Sequence, residues 1–183
     1  MIILLNGPPR SGKDTAAMFI KRHLPGTVEY KMSAPLKRGI QTIYGFNADA
    51  CKFVDKEPDT KTRLLHGQTY RVVQIRLFQH LAAIHGETIL ADLAITAFPS
   101  IMAKHVVISD CGMTIEATKI AAHAGYGNTA LIQLHRNGCD FSNDIREYVD
   151  IQCKHEMIMN NNYDLDLYEL QIKKALQTWK LIE

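Results

Sequence analysis

Little in this chain points to a disulfide framework, a membrane or a polyanion. Its four cysteines, Cys51, Cys111, Cys139 and Cys153, are scattered and none forms a C-x-x-C pair, which argues against a disulfide scaffold or a redox motif. The chain has no signal-peptide pattern and no apolar run of the roughly 20 residues that span a bilayer. The expectation is therefore a cytoplasmic protein with reduced thiols and no membrane partner. Its net charge of +2 is too small to mark a nucleic-acid binder by charge alone, so partners have to be read from local sites. Internal repeats and low-complexity segments are also missing. The 183 residues, 46% of them hydrophobic, can bury one good core, and a single domain over 1–183 is expected.

What is present is concentrated at the start. Ile2 to Leu5 is a short apolar run, and it leads into Gly7-Pro8-Pro9-Arg10-Ser11-Gly12-Lys13-Asp14-Thr15. Ala16, Ala17, Phe19, Ile20 and Leu24 then recur at helical spacing. A buried strand, a glycine-rich turn and a helix in that order match a phosphate-binding loop at every position but the last. Gly7 and Gly12 let the backbone curl until its N–H groups face an anion, and the helix adds the positive end of its dipole. Lys13 supplies a mobile charge. Asp14 stands where the motif has a magnesium-binding hydroxyl, and Thr15 offers that hydroxyl one place later. Gly7, Arg10, Ser11, Gly12, Lys13, Asp14 and Thr15 are the expected nucleotide-binding residues.

The chain beyond the loop repeats strand and helix. Pro25-Gly26 ends the first helix and Val28 to Met32 reads as a second strand. Ser33 is placed to cap a helix with Pro35 in its first turn and an apolar stripe of Leu36, Ile40, Ile43 and Tyr44. Residues 46–70 carry no clear period and read as a mobile insertion. Val73, Leu77, Leu81 and Ile84 predict a helix ending at Gly86, and Ile89, Leu90, Leu93 and Ala97 another ending near Pro99. Val106 to Ile108 is a β-branched strand followed by Ser109-Asp110, and Glu116 to Ala124 reads as a crossover helix. Leu131 to Leu134 and His155 to Met159 complete the strands, and Tyr168, Ile172, Ala175 and Trp179 stripe a last helix. This alternation predicts an α/β fold with a doubly wound, mostly parallel sheet of five strands.

Charged residues near the expected carboxyl edge of that sheet are candidates for the site. Asp110, at the end of a central strand, is placed like a carboxylate that holds magnesium or its waters. Lys37, Arg38 and Arg71 are candidates to bind an acceptor, since a guanidinium fork matches phosphate bidentately; Arg76 reads more simply as a surface charge. Arg136 and Arg146 lie on a polar, lid-like stretch near 136–150 and could neutralise charge on a transferred phosphoryl group. His135, Cys139, Cys153 and His155 carry zinc-ligand chemistry but lack the usual short spacing, and incidental thiols are the favoured reading.

These motifs resemble those of the phage deoxynucleoside monophosphate kinases, P-loop kinases related to thymidylate and adenylate kinases, whose loops also read R-S-G-K-D-T. The S-G-K-D portion is similar to animal-type phosphomevalonate kinases. Ser33-Ala34-Pro35-Leu36-Lys37 is similar to the first family's A-x-P-I/L-K segment. Val107-Ile108-Ser109-Asp110 with Glu116 resembles its V-x-S/T-D-x-R-x-x-x-E. Leu134-His135-Arg136-Asn137-Gly138 resembles a strand ending in R-P-G, and Met157 to Leu170 its closing strand and helix. Gly112 departs from the pattern, standing where the family has an arginine.

The resemblance implies transfer of the γ-phosphoryl group of ATP, with Mg, to a small-molecule nucleotide, most simply a deoxynucleoside monophosphate. Lys13, Asp110 and Arg136 would be catalytic. Asp14, Thr15 and Asp110 would hold the metal, and the adenine would rest near Asn160 to Tyr163. Three alternatives remain open: a kinase of a hydroxyl, such as 5-hydroxymethyluracil in DNA, which would make DNA the partner; a mevalonate-pathway kinase; and a nucleotide-binding protein without catalysis. Assembly as a homodimer is left open as well.

Overall fold

The computed structural model describes residues 1–142 and 144–183. β1 (Ile2–Asn6) is buried along its whole length. It is followed by α1 (Lys13–His23), β2 (Thr27–Tyr30), α2 (Ala34–Ile43), α3 (Ala48–Lys56), α4 (Tyr70–His85), α5 (Ile89–Ala97), β3 (His105–Ile108), α6 (Thr114–Ala124), β4 (Thr129–His135), β5 (His155–Asn160) and α7 (Leu165–Thr178). The five strands form one sheet in the order β2-β3-β1-β4-β5, and every pairing is parallel. The α/β architecture expected from the alternating pattern is the one observed.

Parallel pairing explains the unbroken apolar runs. A central parallel strand is covered on both faces, so it has no side on which polar residues can alternate. Ile3 and Leu5 pack with Val107, Ala130 and Ile132 against Ala16, Ala17 and Ile20 of α1 and Tyr168, Ile172, Ala175 and Leu176 of α7. Leu4, Ile108, Leu131 and Ile120 are equally buried.

The chain divides into two compact units, Met1–Met32 with Ala91–Glu183, and Ser33–Leu90. The first holds the sheet. The second is built on α2, α3 and α4, with Ile40, Val54, Leu65 and Tyr70 as its buried centre.

Three details differ from the sequence expectation. Residues 46–70, which show no period, contain α3 and a 3₁₀ turn at Arg63–Leu65. α3 has nine residues and buries only Val54, too little for a stripe to show, but Asn47 caps it by accepting from the Ala50 amide at 2.8 Å. Ser33 stands at the start of α2 without a side-chain capping bond. β2 ends at Tyr30, and the Met32 amide donates instead to Asp110 Oδ1 at 2.7 Å.

Candidate functional site

The register of β1 and β3 places the chemistry. Leu4 pairs with Ile108, so the loop that leaves β1 and the Ser109-Asp110 pair that leaves β3 emerge side by side at the carboxyl edge of adjacent strands. This is the edge at which open α/β sheets bind ligands.

The loop is shaped by its two glycines. Gly7 has φ 152° and Gly12 φ 101°, both in the region that side chains disfavour. A Cβ on Gly7 would stand 2.5 Å from the Leu134 carbonyl oxygen and 2.7 Å from Ser11 Oγ, and one on Gly12 would strike the Asn161 amide group. Arg10 shares the left-handed conformation at φ 66°. Gly12 begins α1 and brings no side chain to cap it, leaving the first-turn amides to an external acceptor. Ser11 is fully buried and its hydroxyl has no hydrogen-bond partner among the described residues.

Two residues that sequence reasoning did not assign to the loop, Asn161 and Tyr168, hold it in place. Asn161 Nδ2 donates to the Ser11 carbonyl at 2.9 Å, and the Tyr168 hydroxyl donates to the Gly12 carbonyl at 3.1 Å. A peptide unit is planar and trans, so anchoring a carbonyl also aims the following N–H the opposite way. Asn161 thus orients the Gly12 amide, and Tyr168 the Lys13 amide. Asn161 is itself fixed through its own N–H to the His135 carbonyl at 2.7 Å. Asn160, the expected nucleotide contact, is exposed at the end of β5. One position separates the two asparagines, and only the pleat of the strand end decides which one turns inward.

Lys13 Nζ donates to the Gly7 and Pro8 carbonyls, each at 2.7 Å. Its pKa is pushed down to about 8, first by burial and then by the Arg146 guanidinium, while Asp14, Asp110 and Asp144 act in the opposite direction. The Asp14 carboxylate is committed to Lys31 Nζ at 2.7 Å and is largely exposed. Burial would lower the pKa of Lys31, but Asp14, Glu29 and Asp110 outweigh it and raise it. Thr15 is half-buried. Asp110 accepts from Met32, and the buried Glu116 is pushed up to about 7 by desolvation and by the Asp110 charge. Asp14 and Asp110 thus act on the same two lysines, Lys13 and Lys31, and Asp14 meets Lys31 directly. Among the described residues no group of three or more His, Cys, Asp and Glu side chains could hold a metal ion.

The lid-like stretch 136–150 includes position 143, which lies outside the described residues. Arg136 is exposed and donates to the Arg10 carbonyl at 3.2 Å. The far end of the stretch is tied down by Asn6, another residue without a sequence signal. Asn6 is wholly buried. Its amide donates to the Cys111 carbonyl at 3.0 Å and the Glu147 carbonyl at 2.9 Å, and its Oδ1 accepts from the Val149 amide at 3.0 Å. Arg146 in this tied segment pairs with Asp144 through Nε at 2.8 Å and through a second guanidinium nitrogen.

His135 stacks on Tyr148 with ring centres 4.2 Å apart, and Cys153 donates to the His155 carbonyl at 3.2 Å. His135 pairs with Asn160 and His155 with Ala130, five positions along β4. That separates the two histidines by roughly 16 Å at the usual strand rise, so the four candidate zinc ligands do not form one set.

The acceptor candidates Lys37, Arg38 and Arg71 belong to the second unit. Lys37 Nζ donates to Asp55 at 2.7 Å and lies 6.0 Å from the centre of the Tyr70 ring. Arg71 Nε donates to Asp59 at 2.5 Å. Arg38 and Arg76 are exposed. Lys37 and Arg71 thus each have a partner carboxylate from the 46–70 segment, Asp55 and Asp59.

No single helix among the described residues is long and apolar enough to cross a membrane. No protein-family model and no curated protein matches the chain. Among solved structures, a cysteine-to-alanine mutant of the APS kinase of Mycobacterium tuberculosis is similar at 15% identity, covering 96% of each chain with a TM-score of 0.46. A sugar kinase from Janibacter is similar at 10% identity, covering 99% of this chain and 94% of the other with a TM-score of 0.48.

Proposed function

We propose that the protein is an ATP-dependent phosphotransferase whose acceptor is a small phosphorylated molecule, most simply a deoxynucleoside monophosphate converted to the diphosphate. The observation that supports this best is the loop itself. Its amides are aimed by Asn161 and Tyr168, its lysine is half-buried over the loop carbonyls, and a strand-end carboxylate stands one strand away. Such a loop binds the β- and γ-phosphates of a nucleotide, and transfer then depends on positioning and charge neutralisation. The Gly12 and Lys13 amides and the Lys13 ammonium hold the donor. In this reading Arg136 covers the transferring group, and its bond to the Arg10 carbonyl supports that role.

Magnesium takes one or two carboxylates beside phosphate oxygens and water. Asp110 would supply one such carboxylate and Asp14, which Lys31 meets at Oδ1, a second. The ion would spread the negative charge of the phosphates. The acceptor's own phosphate falls to Lys37 and Arg71, as the resemblance of the Lys37 segment suggests.

The test is a screen with labelled ATP across deoxynucleoside monophosphates, phosphomevalonate and duplex DNA containing 5-hydroxymethyluracil, with Lys13→Ala as the control. Transfer to a monophosphate that falls by two to three orders of magnitude in Lys13→Ala supports the proposal, the loss expected when one preorganised donor to the transition state is removed. Transfer to the DNA hydroxyl with free monophosphates ignored replaces the acceptor. ATP binding without transfer to any acceptor leaves a nucleotide-binding protein.

A further inference from the structure

Gly112 lies two residues past Asp110 and has almost no space of its own. A Cβ built on it would stand 2.5 Å from Cγ and 2.9 Å from Cβ of Arg146, and closer still to Cδ. The stem of Arg146 therefore occupies the volume that any side chain at position 112 would fill. The backbone on either side holds this arrangement in place. The Glu147 amide donates to the Gly112 carbonyl at 2.9 Å, and Asn6 joins the Cys111 and Glu147 carbonyls and the Val149 amide. At the far end of the side chain, Asp144 takes the guanidinium as a fork and also accepts from the Arg146 amide at 3.1 Å. The side chain is three-quarters buried.

An arginine fixed at its stem, backbone and head has lost the rotamer freedom of a surface residue, so its guanidinium is held in one orientation. It also stands near a second cation: Asn6, the residue before the loop, holds the backbone at Glu147 and Val149 next to Arg146, and the Arg146 charge acts on Lys13. Asp144 offsets part of the repulsion between these two cations, and the larger negative charge of a polyphosphate offsets the rest.

We propose that Arg146 is a second phosphate-binding cation of the loop site, delivered across Gly112 and oriented by Asp144, and that Gly112 is required because any larger residue displaces it. This rests on the phosphate-loop reading above and assigns a ligand-contacting role to Arg146 and positioning roles to Gly112 and Asp144. The ligand is a polyphosphate chain, which engages Lys13 and Arg146 together.

The experiment is calorimetric titration of the whole protein with inorganic tripolyphosphate at fixed low salt, which needs no acceptor. Arg146→Ala is expected to weaken binding about tenfold or more, the size of one charge-assisted contact, and Arg146→Lys to restore part of the loss. Gly112→Ala should weaken binding comparably, and the Gly112→Ala, Arg146→Ala double variant should be no weaker than Arg146→Ala alone, because a residue that acts only by making room for Arg146 has nothing to add once it is gone. Binding by Arg146→Ala within twofold of the parent overturns the proposal, as does a double variant in which the two losses multiply. If Gly112→Ala does not fold, the comparison of Arg146→Ala with Arg146→Lys decides. A parent protein that binds no tripolyphosphate refutes the phosphate-loop reading and this proposal with it, whereas binding lost in Lys13→Ala but kept in Arg146→Ala refutes the proposal alone.

Discussion

Replacing Asn161 by Ala tests whether the phosphate loop is preorganised or merely permitted by its glycines. The wild-type side chain donates to the Ser11 carbonyl at 2.9 Å from a position only 9% exposed, so water does not readily take over the lost bond. An acceptor left unsatisfied in such a place costs about 1 to 3 kcal/mol. For a chain of this size each kcal/mol lowers Tm by roughly 2 to 4 °C, so thermal melting followed by circular dichroism should show a fall of about 2 to 12 °C. The functional effect is separate. With the Ser11 carbonyl released, the peptide plane shared with the Gly12 amide is free to rotate, and one aimed donor to the phosphates is lost. A neutral contact of about 1 to 1.5 kcal/mol corresponds to roughly a tenfold rise in the Kd of ATP measured by calorimetry. Tyr168→Phe, which removes only the hydroxyl bond to Gly12, should change both quantities in the same direction by a smaller amount. If Tm falls in Asn161→Ala while ATP affinity does not change, the conformation of the glycines alone sets the loop amides and the reasoning is refuted.

Other perturbations read different parts of the molecule. Lys13, with its pKa pushed down to about 8 by burial and by Arg146, should lose its charge as pH rises through that value, so tripolyphosphate affinity should drop between pH 7 and 9 in the parent; Lys13→Arg, which stays charged, should lack this step in titrations at each pH. Glu116 is pushed up to about 7 by desolvation and by Asp110, so its cost to stability grows as pH rises from the ordinary carboxylate range to that value and is constant above it. Glu116→Gln should therefore gain Tm relative to the parent between pH 5 and pH 8, and a constant difference across that range would show that the carboxyl is not desolvated. Asp110→Asn should move the magnesium midpoint of turnover more than the affinity for ATP; an unchanged midpoint and rate would place Asp110 outside the site. Lys37→Ala and Arg71→Ala should raise the acceptor's KM or lower kcat while ATP-analogue affinity stays within about twofold, each lost charge-assisted contact being worth about 1.5 to 3 kcal/mol.

The sheet and the loop were legible in the sequence because both rest on local rules. The apolar runs at Ile2 to Leu5 and Val106 to Ile108 reflect strands covered on both faces, and Gly7 and Gly12 are spaced by the curl that a phosphate loop needs. α3 was not legible, since a short helix burying one residue leaves no period. The residues that hold the loop and the segment beside it were hidden for a different reason. Asn6, Asn161 and Tyr168 stand 1 residue before the loop or about 150 residues after it, and an asparagine or tyrosine carries no mark of the distant carbonyl it will satisfy. Strand register alone turned Asn161 inward and left Asn160 exposed. The sequence also determined that position 112 lacks a side chain. Only tertiary structure decided what filled the space, because the Asn6 hydrogen bonds bring a segment more than thirty residues away across the carboxyl ends of β1 and β3 and lay the stem of Arg146 over the glycine.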